Sequence, residues 1–207
     1  MEGTAGCEPP TTERLGTERL GVFGGTFDPP HIGHLAAAEV ARYALNLDRV
    51  LFVVANVPWQ KAPEQPVSAA SDRLALVRAA VRHLEDCEAS TLEIDRGGDS
   101  STAETLTALA AEGRELFLII GSDLAGSLDT WRHPDVIRSL ATVAVVARLG
   151  STGPGVAPPG WRWVAVEGPG IEVSSTHIRR WLAEGRALGS VLSRPVATEI
   201  ERRGLYR

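Results

Sequence analysis

The sequence predicts an α/β fold in a single domain, a doubly wound parallel sheet with helices on both faces, and three observations carry that expectation. Arg49-Val50-Leu51-Phe52-Val53-Val54 is a continuous, β-branched apolar run, the pattern of a strand covered on both faces. The stretch from Gly21 to Glu39 reads as strand, glycine turn and helix. Further short apolar segments then alternate with segments of helical spacing along the chain. At 207 residues the length suits one ordinary domain with a sizeable core.

The first residues mix Gly, Thr, Pro and Glu without apolar periodicity, and Thr12-Glu13-Arg14-Leu15-Gly16 repeats at once as Thr17-Glu18-Arg19-Leu20-Gly21. Residues 1–18 are therefore expected to be a disordered extension, with the domain running from 19 to 207. Leu20-Gly21-Val22-Phe23 supplies the first strand. Gly24-Gly25 then lets the backbone turn tightly and approach a ligand, and Pro29-Pro30 stiffens the loop. Leu35-Ala36-Ala37-Ala38-Glu39 is rich in helix formers, which puts His31 and His34 near a helix N-terminus. Three residues apart on a helix, they can point together into a space where backbone N–H groups already favour an anion. Zinc is the rival chemistry. The metalloprotease pattern places histidines four apart with an intervening Glu, whereas here the spacing is three with Gly33 between, so no protein-held metal is expected.

Residues 49–54 form the second strand, and the Pro-rich loop after it carries Asn56, Trp59 and Lys61 at the end of the sheet where open α/β folds bind ligands. Lys61 is placed for a phosphate, or is a solvated loop lysine; Trp59 serves equally as a loop anchor. Residues 71–81 have helical spacing after a Ser-Asp cap. Residues 90–95 alternate as a third strand, and Gly97-Gly98-Asp99-Ser100-Ser101-Thr102 offers a hydroxyl-rich second ligand loop before a helix over 103–112. A fourth strand over 115–120 leads to Gly121-Ser122-Asp123, whose carboxylate can bond ribose hydroxyls, cap a helix, or do both. Trp131 precedes a helix that begins at Pro134, and ring stacking competes there with core packing. A fifth strand spans 142–147, the Pro- and Gly-rich residues 150–160 make a loop, and 161–166 add a last strand. Ser174, Ser175 and Thr176 can cap a helix whose first turn carries Arg179, either as plain capping or as another anion site. A final helix covers 195–203.

The formal net charge of -5 argues against a broad nucleic-acid surface, so positive charge must be local. No apolar run approaches the roughly 20 residues that span a bilayer, and the N-terminus has no secretory pattern. With only Cys7 and Cys87, a reducing, cytoplasmic setting is expected.

Five motifs stand out: Gly24-Gly25-Thr26-Phe27-Asp28-Pro29 with His31-x-Gly33-His34; Ser71-Asp72-Arg73; Ile94-Asp95-Arg96-Gly97-Gly98; Gly121-Ser122-Asp123 with Thr130-Trp131; and Ser174-Ser175-Thr176-x-Ile178-Arg179. Together they resemble the bacterial nicotinate-mononucleotide adenylyltransferases of the nucleotidyltransferase superfamily. The first and last belong to the whole superfamily and the middle three to the nicotinate branch. The resemblance implies a Rossmann-like sheet and adenylyl transfer from ATP to nicotinate mononucleotide in NAD biosynthesis. Mg²⁺ would be brought in with the ATP. It implies that His31, His34 and Arg179 hold the ATP phosphates as the catalytic groups. Gly24, Gly25, Thr26, Phe27, Gly121, Ser174, Ser175 and Thr176 would complete the ATP site, with Asp123 on the ribose. Asn56 and Lys61 would lie near the mononucleotide phosphate, Ser101 and Thr102 at the nicotinate carboxylate, and Trp131 on the pyridine ring. The chain departs from the family pattern at Ser101, where Tyr is usual, at Ser122, where Ala is usual, and at Val191-Leu192-Ser193-Arg194-Pro195. Ser101 leaves nicotinamide mononucleotide or another phosphorylated acceptor as the alternative substrate, and a nucleotide-binding module without turnover as the alternative class.

Overall fold

The computed structural model describes residues 16–58, 67–111, 113–147, 155–168 and 170–207. Six strands form one sheet: β1 Glu18–Gly25, β2 Arg49–Val54, β3 Cys87–Ser90, β4 Arg114–Gly121, β5 Ala141–Val146 and β6 Trp163–Val166. Their order is β3-β2-β1-β4-β5-β6 and every pairing is parallel. The chain starts in the middle, builds outward to β3, then crosses back to build outward from β4, so the winding reverses between β1 and β4. The expected doubly wound sheet is present.

Strand alternation divides the interior into two cores. Phe23 on β1, Val50, Phe52 and Val54 on β2, and Phe117 and Ile119 on β4 face one side, where helices α1 (Ile32–Leu45), α2 (Ala70–Val81), α7 (Ser175–Ala183) and α8 (Arg194–Arg203) pack. Leu20, Val22, Leu51, Val53, Leu118 and Ile120 face the other side, against α4 (Thr102–Leu109), α5 (Ser122–Ala125) and α6 (Pro134–Leu140). Gly21 is required on the first of these sides, with Phe23: a Cβ there would lie 2.9 Å from Leu47 Cδ1 and 3.0 Å from Val50 Cγ2.

Pairing between β1 and β4 ends at Val22–Leu118, although β1 continues to Gly25 and β4 to Gly121. β1 stays paired with β2 to Gly25–Val54, and β4 with β5 to Gly121–Val146. The two central strands therefore part at their C-terminal ends and open a crevice in the sheet.

One expected element is corrected. The third strand is Cys87–Ser90, and residues 92–96 are helical, α3 (Leu92–Arg96). Ser90 Oγ accepts from the Leu92 N–H at 3.3 Å, Thr91 Oγ1 donates to Asp95 at 2.5 Å, and Gly97 at φ 74° stops the turn. These local hydroxyl hydrogen bonds outweighed the alternating pattern that suggested a strand, and the helix turns Glu93 inward. At the chain start, Glu18 already belongs to β1, while residues 1–15 of the expected extension lie outside the described residues.

At the N-terminal end of the sheet Glu18 receives Arg49 Nε at 2.8 Å and Arg114 Nε at 2.6 Å, joining β2, β1 and β4. The Arg49 hydrogen bond, helped by Arg114, holds the Glu18 carboxyl below its ordinary value against the opposing effect of burial. A depressed carboxylate pKa adds stability that is complete above the unfolded value near 4.3 and is lost as pH falls through the folded one. Glu18→Gln should therefore cost about 1 kcal/mol or less at pH 7, as expected for a half-exposed pair, with the difference from the unsubstituted chain shrinking toward pH 3 in urea titrations.

Candidate active site at the sheet switch point

The loop Gly24-Gly25-Thr26-Phe27-Asp28-Pro29 leaves β1 at the crevice. Gly25 has no room for a side chain, since a Cβ would meet the Phe27 ring at 2.8 Å. Phe27 takes a left-handed backbone (φ 49°) and buries its ring edge-on to Phe23 at 5.7 Å and to His34 at 5.1 Å. Three side chains hold the loop's carbonyls. Arg73 Nη1 donates to Thr26 O at 2.9 Å, Arg179 Nη1 to Asp28 O at 2.8 Å, and Ser175 Oγ to Pro29 O at 2.9 Å. Because a trans peptide sets its N–H opposite its C=O, the Phe27 N–H is directed away from Arg73.

His31 is the N-cap of α1 and is 3% exposed; its ring stacks on His34 with centroids 3.8 Å apart. The His31 backbone N–H donates to His34 Nδ1 at 3.2 Å. An accepting Nδ1 leaves the neutral ring's proton on Nε2, so His34 is set up as a donor from its outer nitrogen. Gly33 makes this stack possible: a Cβ there would sit 3.1 Å from the His31 ring. The two rings do not project side by side as the helical spacing suggested. His34 lines the cleft and His31 supports it from behind.

The crevice is a cleft of about 340 Å³. Gly24, Gly25, Thr26, Phe27 and His34 line one wall, with Ser175 beside them; Gly121 and Asp123 close the β4 side. Ser100, Ser101, Thr102 and Trp131 line the far end. Trp131 Nε1 donates to Ser127 Oγ at 3.3 Å, so the half-buried ring is fixed while part of it remains in the cleft. Ser101 is buried and its hydroxyl caps α4, accepting from the Glu104 N–H at 3.4 Å. Ser174 likewise caps α7, accepting from the His177 N–H at 3.2 Å. Thr176 accepts from Arg179 Nη2 at 3.4 Å, and these two line a second depression with His177 and Arg180. Asn56 faces the second ligand loop, with its Nδ2 donating to Gly98 O at 2.9 Å. Lys61 and Trp59 lie outside the described residues. Among the described residues no group of three or more His, Cys, Asp or Glu is arranged to hold a metal ion.

The model of the cytidylyltransferase-like family matches residues 22–181, from the first strand through α7. The protein named Probable nicotinate-nucleotide adenylyltransferase in Exiguobacterium sibiricum is 42% identical over 190 residues, covering 91% of this chain and 98% of that one. A namesake in Thermus thermophilus is 41% identical over 195 residues, covering 91% and 100%. The chain belongs to the nicotinate-nucleotide adenylyltransferase family. A solved structure, nicotinic acid mononucleotide adenylyltransferase of Plasmodium falciparum in complex with NaAD, shares the fold at TM-score 0.73 and 13% identity, covering 91% of this chain and 97% of that one.

Three features of this adenylyltransferase-family site escaped the sequence reading. Arg73, read in the sequence as part of a helix-start motif without a role of its own, is 1% exposed and also donates to Ser68 O at 2.9 Å and Asn56 O at 3.0 Å. Burial pushes its guanidinium below the usual arginine value, and the Asp28 carboxylate opposes that. Glu93 lines the cleft and accepts from Thr105 Oγ1 at 2.6 Å, hidden in sequence by its misassigned strand. Tyr206, at the far end of the chain, donates to Asp28 Oδ1 at 2.6 Å, and no local pattern marks so distant a contact. Arg73→Lys keeps the charge but loses the planar fork, leaving at least one buried carbonyl without its donor. Urea unfolding should show a loss of about 1–3 kcal/mol; an unchanged midpoint would mean that the fork is dispensable.

Proposed function

We propose that the protein transfers the adenylyl group of ATP to nicotinate mononucleotide, giving nicotinate adenine dinucleotide and pyrophosphate, a step of NAD biosynthesis. The observation that carries this reading is the two-ended cleft. One end has a glycine turn, the Nε2 side of His34 and the nearby Arg179; the other has a tryptophan beside the first turn of α4. The relatives' names support both substrates, and the P. falciparum neighbour was solved with NaAD and separately with APC.

A mononucleotide phosphate oxygen forms the new bond to the α-phosphorus as the bond to pyrophosphate breaks. The nucleophile is already an anion, so no general base is needed, and catalysis reduces to alignment and charge stabilisation. His34 donates to the polyphosphate and Arg179 neutralises it, with His31 holding His34 in register. Asp123 takes the adenosine ribose, and Ser175 and Thr176 lie at the phosphate end. Mg²⁺ arrives with ATP, bound chiefly through phosphate oxygens and water.

Purified protein given ATP and nicotinate mononucleotide should release pyrophosphate, and absence of product with every pyridine mononucleotide would overturn the assignment. If His34 stabilises charge that grows in the transition state, His34→Ala should lower kcat by on the order of 10²–10³, whereas a change confined to KM would refute that role.

Selectivity for the acid belongs to the other end of the cleft. Acid and amide substrates present the same phosphate, so the histidine motif cannot tell them apart. A pocket whose donors face a carboxylate would meet the amide's NH₂ with further donors and leave buried groups unpaired, at roughly 1–3 kcal/mol per group. A bulkier residue at Thr102 should therefore shrink the acid-to-amide ratio of kcat/KM, while Trp131→Ala should weaken both mononucleotides equally and leave ATP binding unchanged. An unchanged ratio in the Thr102 variants would move carboxylate recognition elsewhere.

A further inference from the structure

The last residues of the chain reach back to the signature loop. Gly204, at φ 65°, ends α8 with its N–H on the carbonyls of Glu201 and Ile200, and the Leu205 N–H follows onto Ile200. This reversal delivers Tyr206 to Asp28. Tyr206 itself sits at φ 62°, a backbone state that a residue with a side chain adopts only where its surroundings hold it.

Asp28 is 1% exposed, and a carboxylate so buried must have its oxygens occupied. Tyr206 fills Oδ1 at 2.6 Å and the Ser68 N–H fills Oδ2 at 3.2 Å. The main-chain carbonyl of the same residue accepts from Arg179 at 2.8 Å. Asp28 is thus a bracket, with the C-terminus on its side chain and the phosphate-end guanidinium on its backbone. A second tie runs in parallel: Arg203 pairs with Asp72, the neighbour of Arg73, so the end of α8 is clamped to the start of α2. Burial first, and the Asp28 carboxylate second, push the Tyr206 hydroxyl far above its ordinary value, so it remains a donor throughout the working pH range.

We propose that Tyr206 is a positioning residue for ATP: by holding the Asp28 carboxylate it fixes the carbonyl on which Arg179 rests, and so aims the guanidinium at the polyphosphate. This rests on the reading of Arg179 as an ATP-phosphate ligand. A tyrosine that merely pins the C-terminus would affect folding alone, because nothing would pass from its hydroxyl to Arg179.

The test is a double-mutant cycle in the full chain with Tyr206→Phe, Arg179→Ala and both together. Phenylalanine keeps the buried ring and removes only the hydroxyl. Melting curves set an assay temperature at which all four proteins are folded. ATP affinity is measured by titration calorimetry, and kcat and KM for both substrates by pyrophosphate release. Tyr206→Phe should weaken ATP binding and kcat/KM for ATP about tenfold, leave KM for the mononucleotide unchanged, and add less than about twofold in the Arg179→Ala background. Equal losses in both backgrounds, or a lowered melting temperature with unchanged ATP affinity, would overturn the proposal. A wild-type chain that binds ATP but turns over no mononucleotide would remove the proposed reaction, and the calorimetric cycle would still decide the role of Tyr206. A wild-type chain that does not bind ATP overturns both.

Discussion

A buried guanidinium with all three of its nitrogens engaged is the fixed point of this molecule. Arg73 reaches the carbonyls of Thr26, Asn56 and Ser68, which belong to the loop after β1, the loop after β2 and the entry to α2. Desolvating an arginine is costly unless its N–H groups are satisfied, so the three segments can pack only in the arrangement that satisfies them. The glycine turn is shaped as much by this grip as by its own sequence. The carbonyls of Thr26, Asp28 and Pro29 are engaged by Arg73, Arg179 and Ser175, so these acceptors are already satisfied where an anion would otherwise be repelled.

That grip acts where the sheet itself comes apart. β1 and β4 cease to pair at Val22 and Leu118, and each keeps its outer neighbour for three further residues. The crevice is therefore a product of strand order: two halves wound in opposite directions cannot both cover the seam between them. Backbone polar groups exposed along the seam need partners, which is why glycines, hydroxyls and the N-terminal turns of α1 and α4 crowd there and aliphatic side chains fill the two cores on either side.

Much of this could be read from the residues. The apolar run over 49–54, the helix formers after His34 and the hydroxyl cap at Ser174 each express a local preference, and each appears where it was expected. The misread segment, 90–95, is one where local signals conflict: alternation favours a strand, while the Ser90 and Thr91 hydroxyls bond to Leu92 and Asp95 of a short helix, which also carries Glu93 to Thr105. His31 was legible as part of a motif but its position behind His34 was not, because stacking depends on the space that Gly33 leaves. Arg73 and Tyr206 were illegible in their roles, since Arg73 holds Thr26 across 47 residues and Tyr206 holds Asp28 across 178, and only the closed fold brings them together.

In the proposed assignment the cleft has a phosphate end and an acceptor end, and the two differ in how firmly they are held. At the phosphate end the ties are Arg73 and Asp28, both 1% exposed, and the hydrogen bonds that satisfy them. Across the acceptor end, Arg132, next to Trp131, meets Asp99 in the second ligand loop at 3.0 Å, with side chains 46% and 51% exposed. A pair so exposed contributes roughly 0–1 kcal/mol, and the loop it steadies begins with Gly97 and Gly98, both at positive φ. The Arg132–Asp99 tie is consequently cheaper to open than the buried ties of the phosphate end. For a reaction that depends on alignment, the asymmetry has a physical sense. The groups that meet the changing charge must be in place beforehand, because any reorganisation there adds directly to the barrier. A pocket for an unreacting ring can close around its ligand and meet the ordering cost from ring burial, which leaves the position of the transferring phosphorus unaltered.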